Sequence, residues 1–188
     1  MSASPPDTPP AVLPQTVSDI ETWLQAERLP PVHAWDPPDR GHSGMRIDAD
    51  GRWYHNGDEI RRERLVALFS SILKREGERT YLVTPVEKLQ IDIEDAPFQA
   101  VEITIEGSGE DQVLAFRLKT GGYVVVGDEH PVFLSGEDGD RPYVHVRAGL
   151  DARISRPAWY ALADLVTEGS DGPGIWSSGA FFPLGTAD

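Results

Sequence analysis

A nine-residue pattern occurs twice in this chain and limits the folds open to it. Ile60-Arg61-Arg62-Glu63-Arg64-Leu65-Val66-Ala67-Leu68 and Ile154-Ser155-Arg156-Pro157-Ala158-Trp159-Tyr160-Ala161-Leu162 both read Ile-x-Arg-x-x-apolar-x-Ala-Leu, at a constant offset of 94. Each copy follows a glycine, Gly57 or Gly149. Two copies in 188 residues point to an internally duplicated protein whose halves pack across a seam that can hold a ligand. On this reading the copies are matching strand–helix junctions, with Arg62 and Arg156 in equivalent places. Four identities in nine also arise between ordinary amphipathic helices, and then the two arginines have unrelated surroundings.

The length allows one domain or two small ones, and 39% apolar content is enough for a core. Nine of the sixteen prolines fall in the first 38 residues. Residues 1–16 therefore read as a disordered tail, and residues 30–44 as an extended arm carrying Val32 and Trp35. A net charge of −14, with 31 acids against 17 bases, argues against DNA or RNA, whose phosphates reward Lys and Arg. The same imbalance disfavours an anionic membrane. The local cluster Arg61, Arg62 and Arg64 leaves room for one phosphate-bearing small molecule. With no cysteine, disulfides, thiolate nucleophiles and Cys-ligated metals are excluded. No apolar run approaches the ~20 residues of a membrane span, and the start has neither the basic nor the apolar region of a signal peptide. The expected location is cytoplasmic.

Ser18-Asp19-Ile20-Glu21 has the form of a capping box, opening a short helix with Ile20, Trp23 and Leu24 on one face. Met45 to Asp48 and Arg52 to His55 read as strands around the turn at Asp50-Gly51, and Asn56-Gly57 supplies a second turn. Leu65, Leu68, Phe69, Ile72 and Leu73 follow helical spacing up to Gly77. Short apolar runs at 80–83, 89–93, 100–105, 112–118 and 123–126, separated by Pro and Gly, suit an antiparallel meander. Further strands are expected at 132–134 and 143–146. A last helix begins near Ser155, where Pro157 is tolerated in the first turn, and presents Trp159, Leu162, Ala163 and Val166. Phe181 and Phe182, close to the end, are expected to dock onto the body. The order is α+β, with a tail over 1–16, an N-terminal α+β module over 17–85 and a mainly β module with one helix over 86–188.

The stretches Trp35-Asp36-Pro37, Asp50-Gly51-Arg52-Trp53-Tyr54-His55-Asn56-Gly57, Tyr81-Leu82-Val83-Thr84-Pro85-Val86-Glu87-Lys88, Glu94-Asp95-Ala96-Pro97-Phe98 and Gly179-Ala180-Phe181-Phe182-Pro183-Leu184-Gly185 carry a resemblance. Through them the chain resembles the uncharacterised bacterial family of domain of unknown function 1285 over about residues 33–185. The resemblance implies a duplicated α+β core whose later part is pleckstrin-homology-like. It also implies a nucleotide-like ligand between the modules and a role in signal transduction. The family supplies no reaction and no catalytic residue.

The residues themselves offer candidates for binding a small phosphorylated ligand. Trp53 and His55 alternate onto one face of a strand, giving a ring for stacking and an imidazole donor. Tyr81 and the turn Thr84-Pro85-Val86-Glu87-Lys88 add hydroxyl and ammonium groups for a phosphate, with Glu87 for a ribose or base edge. Arg147 and Arg156 provide guanidinium forks for carboxylate or phosphate. All are expected to converge at the seam, with Arg147 binding the ligand and Arg156 bridging the halves. Each also has a plain structural use: a packed Trp, a turn His, a surface Lys–Glu pair, crosslinking arginines. The histidines show no metal-binding spacing, and no Gly-x-Gly-x-x-Gly, Walker or Gly-x-Ser-x-Gly motif names a cofactor or nucleophile. The favoured reading is a non-enzymatic binding or sensor protein. The rivals are a protein-interaction scaffold using an apolar patch near Phe181-Phe182, and a hydrolase or transferase using His55 or His130 in a cleft.

Overall fold

The computed structural model describes residues 15–185. The tail expected over 1–16 lies outside them save for its last two residues. Helix α1 spans Val17–Ala26, and its capping box is formed two residues earlier than the sequence suggests: Thr16 accepts from the Asp19 N–H at 3.1 Å while Asp19 reaches back to Thr16. Ser18 instead lies inside the helix, its carbonyl bonded by Thr22.

Strands β1 (Asp39–Ile47), β2 (Trp53–His55) and β3 (Asp58–Glu59) precede helix α2 (Glu63–Ser71). Strands β4 (Leu73–Glu76), β5 (Arg79–Val83) and β6 (Lys88–Ile93) follow. The six form one sheet in the order β3-β2-β1-β6-β5-β4. Its central pair, β1 with β6, is parallel; the others are antiparallel. Two expectations change here. Leu73 is not in the helix but opens β4, opposite Leu82. The helical spacing of 65–73 is overridden because the hairpin closing at Gly77, where φ is +62°, pairs residues 73–76 with β5. Residues 88–93, expected in the second module, pair into the first sheet as β6.

The second half repeats the arrangement. Strands β7 (Phe98–Glu106), β8 (Val113–Leu118), β9 (Tyr123–Val125), β10 (Val132–Ser135), β11 (Arg141–Arg147) and β12 (Leu150–Ile154) form a sheet in the order β10-β11-β12-β7-β8-β9. Read from the other edge this is the order of the first sheet, again with a parallel pair, β7 and β12, at the centre. The two sheets thus share one topology, consistent with internal duplication. The equivalence sets β1 against β7 and β6 against β12, so the nine-residue pattern does not mark corresponding places. Ile60 leaves the third strand of its sheet towards α2, whereas Ile154 ends the sixth strand of its own, before helix α3 (Arg156–Ala163). Helix α3 buries Ala158 and Leu162, while Ala163 and Val166 stay exposed.

Strands β13 (Thr167–Gly169), β14 (Gly172–Ser177) and β15 (Ala180–Pro183) make a small third sheet. β14 packs on β8 and β15 on β10, so this sheet joins one edge strand of the second sheet to the strand beside its other edge. The link from β9 to β10 is short, and Gly127 and His130 pair across it. A folded link of that length cannot cross five flat strand gaps of about 4.8 Å each, so the second sheet must curl. Phe182 is buried and Phe181 tilts against Trp176 at 5.2 Å, which docks the C-terminal aromatics.

One core unites the two large sheets, including Ile47, Trp53, Leu73 and Ile91 from the first and Leu114, Phe116, Val144 and Ile154 from the second. A smaller cluster lies on the other face of β8 and β9, where Val17 and Ile20 of α1 meet Ala115 and Tyr123. Buried on both faces, these strands read in sequence as continuous apolar runs. No helix among the described residues is long and apolar enough to cross a membrane.

Ser177, fully buried, pins the third sheet in place: its hydroxyl accepts from the Leu114 N–H at 3.0 Å and donates to the Val126 carbonyl at 2.8 Å. The exposed Ser178 also donates to Val126, at 2.8 Å. Replacing Ser177 with Ala would orphan the Leu114 N–H, at a cost of about 1–3 kcal/mol, whereas Ser178→Ala leaves Val126 served. Urea unfolding should therefore give a clearly lower midpoint for Ser177→Ala and a near wild-type one for Ser178→Ala; equal midpoints would show that this buried hydroxyl is not the pin.

Candidate functional site

A cavity of about 550 Å³ opens where the two modules meet. Its walls come from Trp23 and Leu24 of α1, Leu29 just beyond it, Ala67 and Ser70 at the end of α2, Phe98, Leu118, Val124 and Val146. Small-molecule sites commonly fall within about 300–1,000 Å³ and combine apolar walls with a few polar groups. Here the charged groups are Arg147 and Glu27, with His130 beside them.

Arg147 ends β11, where the pairing with β12 shifts register between His145 and Arg147. Ala148, next in the turn, holds φ at +44°, an unusual value for a residue with a Cβ. Such irregularities re-aim a side chain. The guanidinium donates through Nη2 to the Ser70 carbonyl at 2.8 Å and lies 5.0 Å from the Phe98 ring centre. Ser70 is in the last turn of α2, where helix carbonyls lack intrahelical partners and carry negative partial charge. A cation from one module thus caps a helix of the other. Burial pushes the Arg147 guanidinium down from its usual pKa, against the pull of Glu27, though an arginine keeps its charge. Burial pushes the Glu27 carboxyl up, opposed by Arg147. His130 Nδ1 lies 3.2 Å from the His145 carbonyl; since a carbonyl can only accept, this contact puts a proton on Nδ1. The Tyr123 hydroxyl is buried without a partner among the described residues, and burial raises its pKa.

The eight residues expected at one site do not assemble. Of five surface cavities, the seam cavity holds Arg147, a second holds Arg156, another reaches Trp53, and no two of the eight share one. Trp53 is buried and stacked on Phe69 at 6.4 Å, because the inner face of β2 points into the core. His55 is exposed, beside Asn56 at 3.3 Å, and lines none of the five. Tyr81 is buried under Lys88, whose ammonium is 5.1 Å from its ring centre and bonded to Glu76. That bond lowers the Glu76 carboxyl and raises the Lys88 amine. Thr84 closes its own turn, its hydroxyl accepting from the Glu87 N–H at 3.3 Å. Half-buried Glu87 lines none of these cavities. Arg156 is exposed at the start of α3, in a groove with Asp50, Glu94 and Arg141.

Glu27 and Trp23 were not expected at a site, yet the sequence holds the signal. Ile20, Trp23, Leu24 and Glu27 stand at i, i+3, i+4 and i+7, one helical face. Ser70 gave no such signal, because its part is played by a backbone carbonyl.

With this geometry in view, comparison with known proteins is specific. The chain matches the family models described as domain of unknown function (DUF1285), N-terminal domain, over residues 30–96 and protein of unknown function (DUF1285), C-terminal domain, over residues 97–184. The crystal structure of a DUF1285 family protein from Silicibacter pomeroyi DSS-3 is 49% identical, with a TM-score of 0.80, covering 84% of this chain and 87% of that one. A second, from Shewanella baltica OS155, is 26% identical with a TM-score of 0.53, covering 65% of this chain and 92% of that one. No curated protein matches. The molecule is a two-module α+β protein with a cavity at its seam. It belongs to the DUF1285 family.

The roles expected of the two arginines are exchanged. Arg147, expected to serve the ligand alone, bridges the modules; Arg156, expected to bridge, is exposed. Arg147→Ala should lower unfolding free energy by about 1.5–3 kcal/mol, the range for a hydrogen bond to a charged group, and Arg156→Ala should stay within about 0.5 kcal/mol of wild type. Chemical denaturation of both variants checks this; a larger loss at Arg156 would restore the original assignment.

Proposed function

We propose that this chain is a non-enzymatic binding or sensor protein that takes a small anionic ligand with an apolar body into the seam cavity. The phosphorylated, nucleotide-like class suggested by the family resemblance is the first to test, and signal transduction is the setting it suggests. The observation that carries the reading is Arg147. It is a guanidinium in a largely apolar cavity, with donors beyond the one given to Ser70. Because that bond also ties α2 to the second sheet, an anion drawn to Arg147 would act on the tie between modules, as a sensor requires. We also infer a pleckstrin-homology-like second module, a reading supported by the curl of its sheet and by the helix after its last strand.

The net charge of −14 opposes anion binding at long range, but beyond about 8 Å such repulsion is screened at physiological salt. The scaffold reading has lost its expected patch, since Phe182 is buried and Phe181 packs on Trp176. A hydrolase or transferase reading keeps one observation in its favour: His130 lines the same cavity with its ring oriented by the His145 carbonyl. For that reading, His130→Gln should abolish turnover of a phosphorylated compound without abolishing its binding.

Thermal-shift screening of the full chain against nucleotides and phosphorylated metabolites tests the favoured reading. A ligand at 100 times its dissociation constant adds about 2.7 kcal/mol of stability, and Arg147→Ala should remove that gain. A panel without any shift, or a shift that Arg147→Ala leaves intact, would sink the seam site.

A further inference from the structure

We propose that the small cavity at the start of α2 binds a phosphate group, with the indole N–H of Trp53 as its buried donor. This site is separate from the seam cavity of Arg147; the two share only Thr120 among their lining residues.

Trp53 is only 2% exposed, its ring stacked on Phe69. The indole N–H has no hydrogen-bond partner among the described residues, yet it is not shut off as the Tyr123 hydroxyl is. It therefore reaches the outside through the cavity that the ring helps to line, a space of about 260 Å³. A buried donor in this state calls for an acceptor, and an indole N–H can do nothing but donate.

The surroundings supply further donors. The Trp53 carbonyl accepts from the Ile60 N–H at 2.7 Å, which holds this corner against the entry to the nine-residue helix α2. The first N–H groups of that helix have no side-chain cap, no intrahelical carbonyl can reach them, and they carry the positive end of the helix dipole. From the other module comes Lys119. Its stem crosses Gly51, where a Cβ would meet Cδ at 3.7 Å, and its ammonium donates to the Asp50 carbonyl at 2.8 Å. That bond uses one of three ammonium donors. Two carboxylates also line the cavity: Glu59 is tied to Arg61 at 3.3 Å, and Glu63 stands in the first turn of α2. Against them stand Arg52, Arg61 and Lys119, a local excess of base in a chain with 31 acids and 17 bases. A phosphate group offers acceptor oxygens to all these donors, and it suits a cavity smaller than the roughly 300 Å³ at which drug-sized sites begin.

The chain has five tryptophans, and each gives one indole N–H signal in a proton–nitrogen NMR spectrum; contact with Phe69 assigns that of Trp53. Titrating the full chain with inorganic phosphate, at ionic strength held constant with sodium chloride, should shift the Trp53 signal saturably and leave Trp35, Trp159 and Trp176 in place. Trp23 reports on the seam cavity in the same spectrum, so Arg147→Ala should remove any shift there and leave that of Trp53 intact. By calorimetry, Trp53→Phe and Lys119→Met should each weaken phosphate at least about ten-fold, the loss expected for a hydrogen bond to a charged group. Lys119 is exposed, so its variant keeps the test open should Trp53→Phe not fold. Glycerol 3-phosphate distinguishes the source of the group: binding at least as tight as phosphate assigns the cavity to a monoester, weaker binding to the free ion. No saturable shift at Trp53 with phosphate, the same shift with sodium chloride alone, or a Lys119→Met variant that binds as the wild type does would overturn the assignment.

Discussion

Neither six-stranded sheet can keep its inner face dry by itself. Trp53, Leu73 and Ile91 project from one, and Leu114, Phe116, Val144 and Ile154 from the other, into a single core. Fully burying a side chain of this size is worth about 1.5–3 kcal/mol, so separating the modules would forfeit many such terms at once. The seam is therefore a consequence of burial. Both modules present a sheet whose central strands run parallel, and a parallel pair cannot be joined by a tight turn. Each module must return its chain from one edge of the sheet to the other. How it does so decides where helices lie and where space remains.

Arg147 shows how architecture and site come to share a residue. Its guanidinium caps the carbonyl end of α2 and lies over Phe98, two favourable arrangements for a cation that burial would otherwise penalise. The register shift before it and the positive φ of Ala148 place the side chain there. Such local departures from regular pairing persist when surrounding structure holds them. Here the surroundings are the facing module. An anion that competed for this guanidinium would alter the contact that fixes α2, which gives the cavity a route to influence the relation between modules.

Much of the fold was legible locally. The amphipathic run after Arg62, the Pro157 helix start and the apolar runs of β5 to β9 all stand in the sequence. Pairing across long separations does not: nothing local in Asp39–Ile47 announces a parallel partner at Lys88–Ile93. The same limit turned Leu73 from an expected helix residue into a strand residue. The site suffered most. Trp53 and Tyr81 look like stacking surfaces in sequence, but their strands face inward, and Lys88 is committed to Glu76. Arg147 was legible as a cation near a turn, while its partner, a backbone carbonyl at the end of α2, has no signature in the sequence. Glu27 was within reach, since it continues the face of Ile20, Trp23 and Leu24.

The duplicated topology also explains why a cavity exists at one place. In the first module, α2 occupies the link between the third and fourth strands. In the second, the equivalent link from β9 to β10 is a short turn without a helix. The curl of the second sheet makes that short link sufficient, but it leaves the neighbourhood of β8 and β9 without the cover that α2 gives the first sheet. Helix α1 supplies part of it, packing Val17 and Ile20 against Ala115 and Tyr123. The third sheet supplies more, pinned by Ser177. What neither covers is the space between the end of α1, the end of α2 and the β8–β9 turn. His130 borders it because it sits on the short link, Glu27 because it ends α1, and Arg147 because it reaches for α2. Glu27, His130 and Arg147 thus meet around the place that the second copy, with no helix in its β9–β10 link, leaves uncovered.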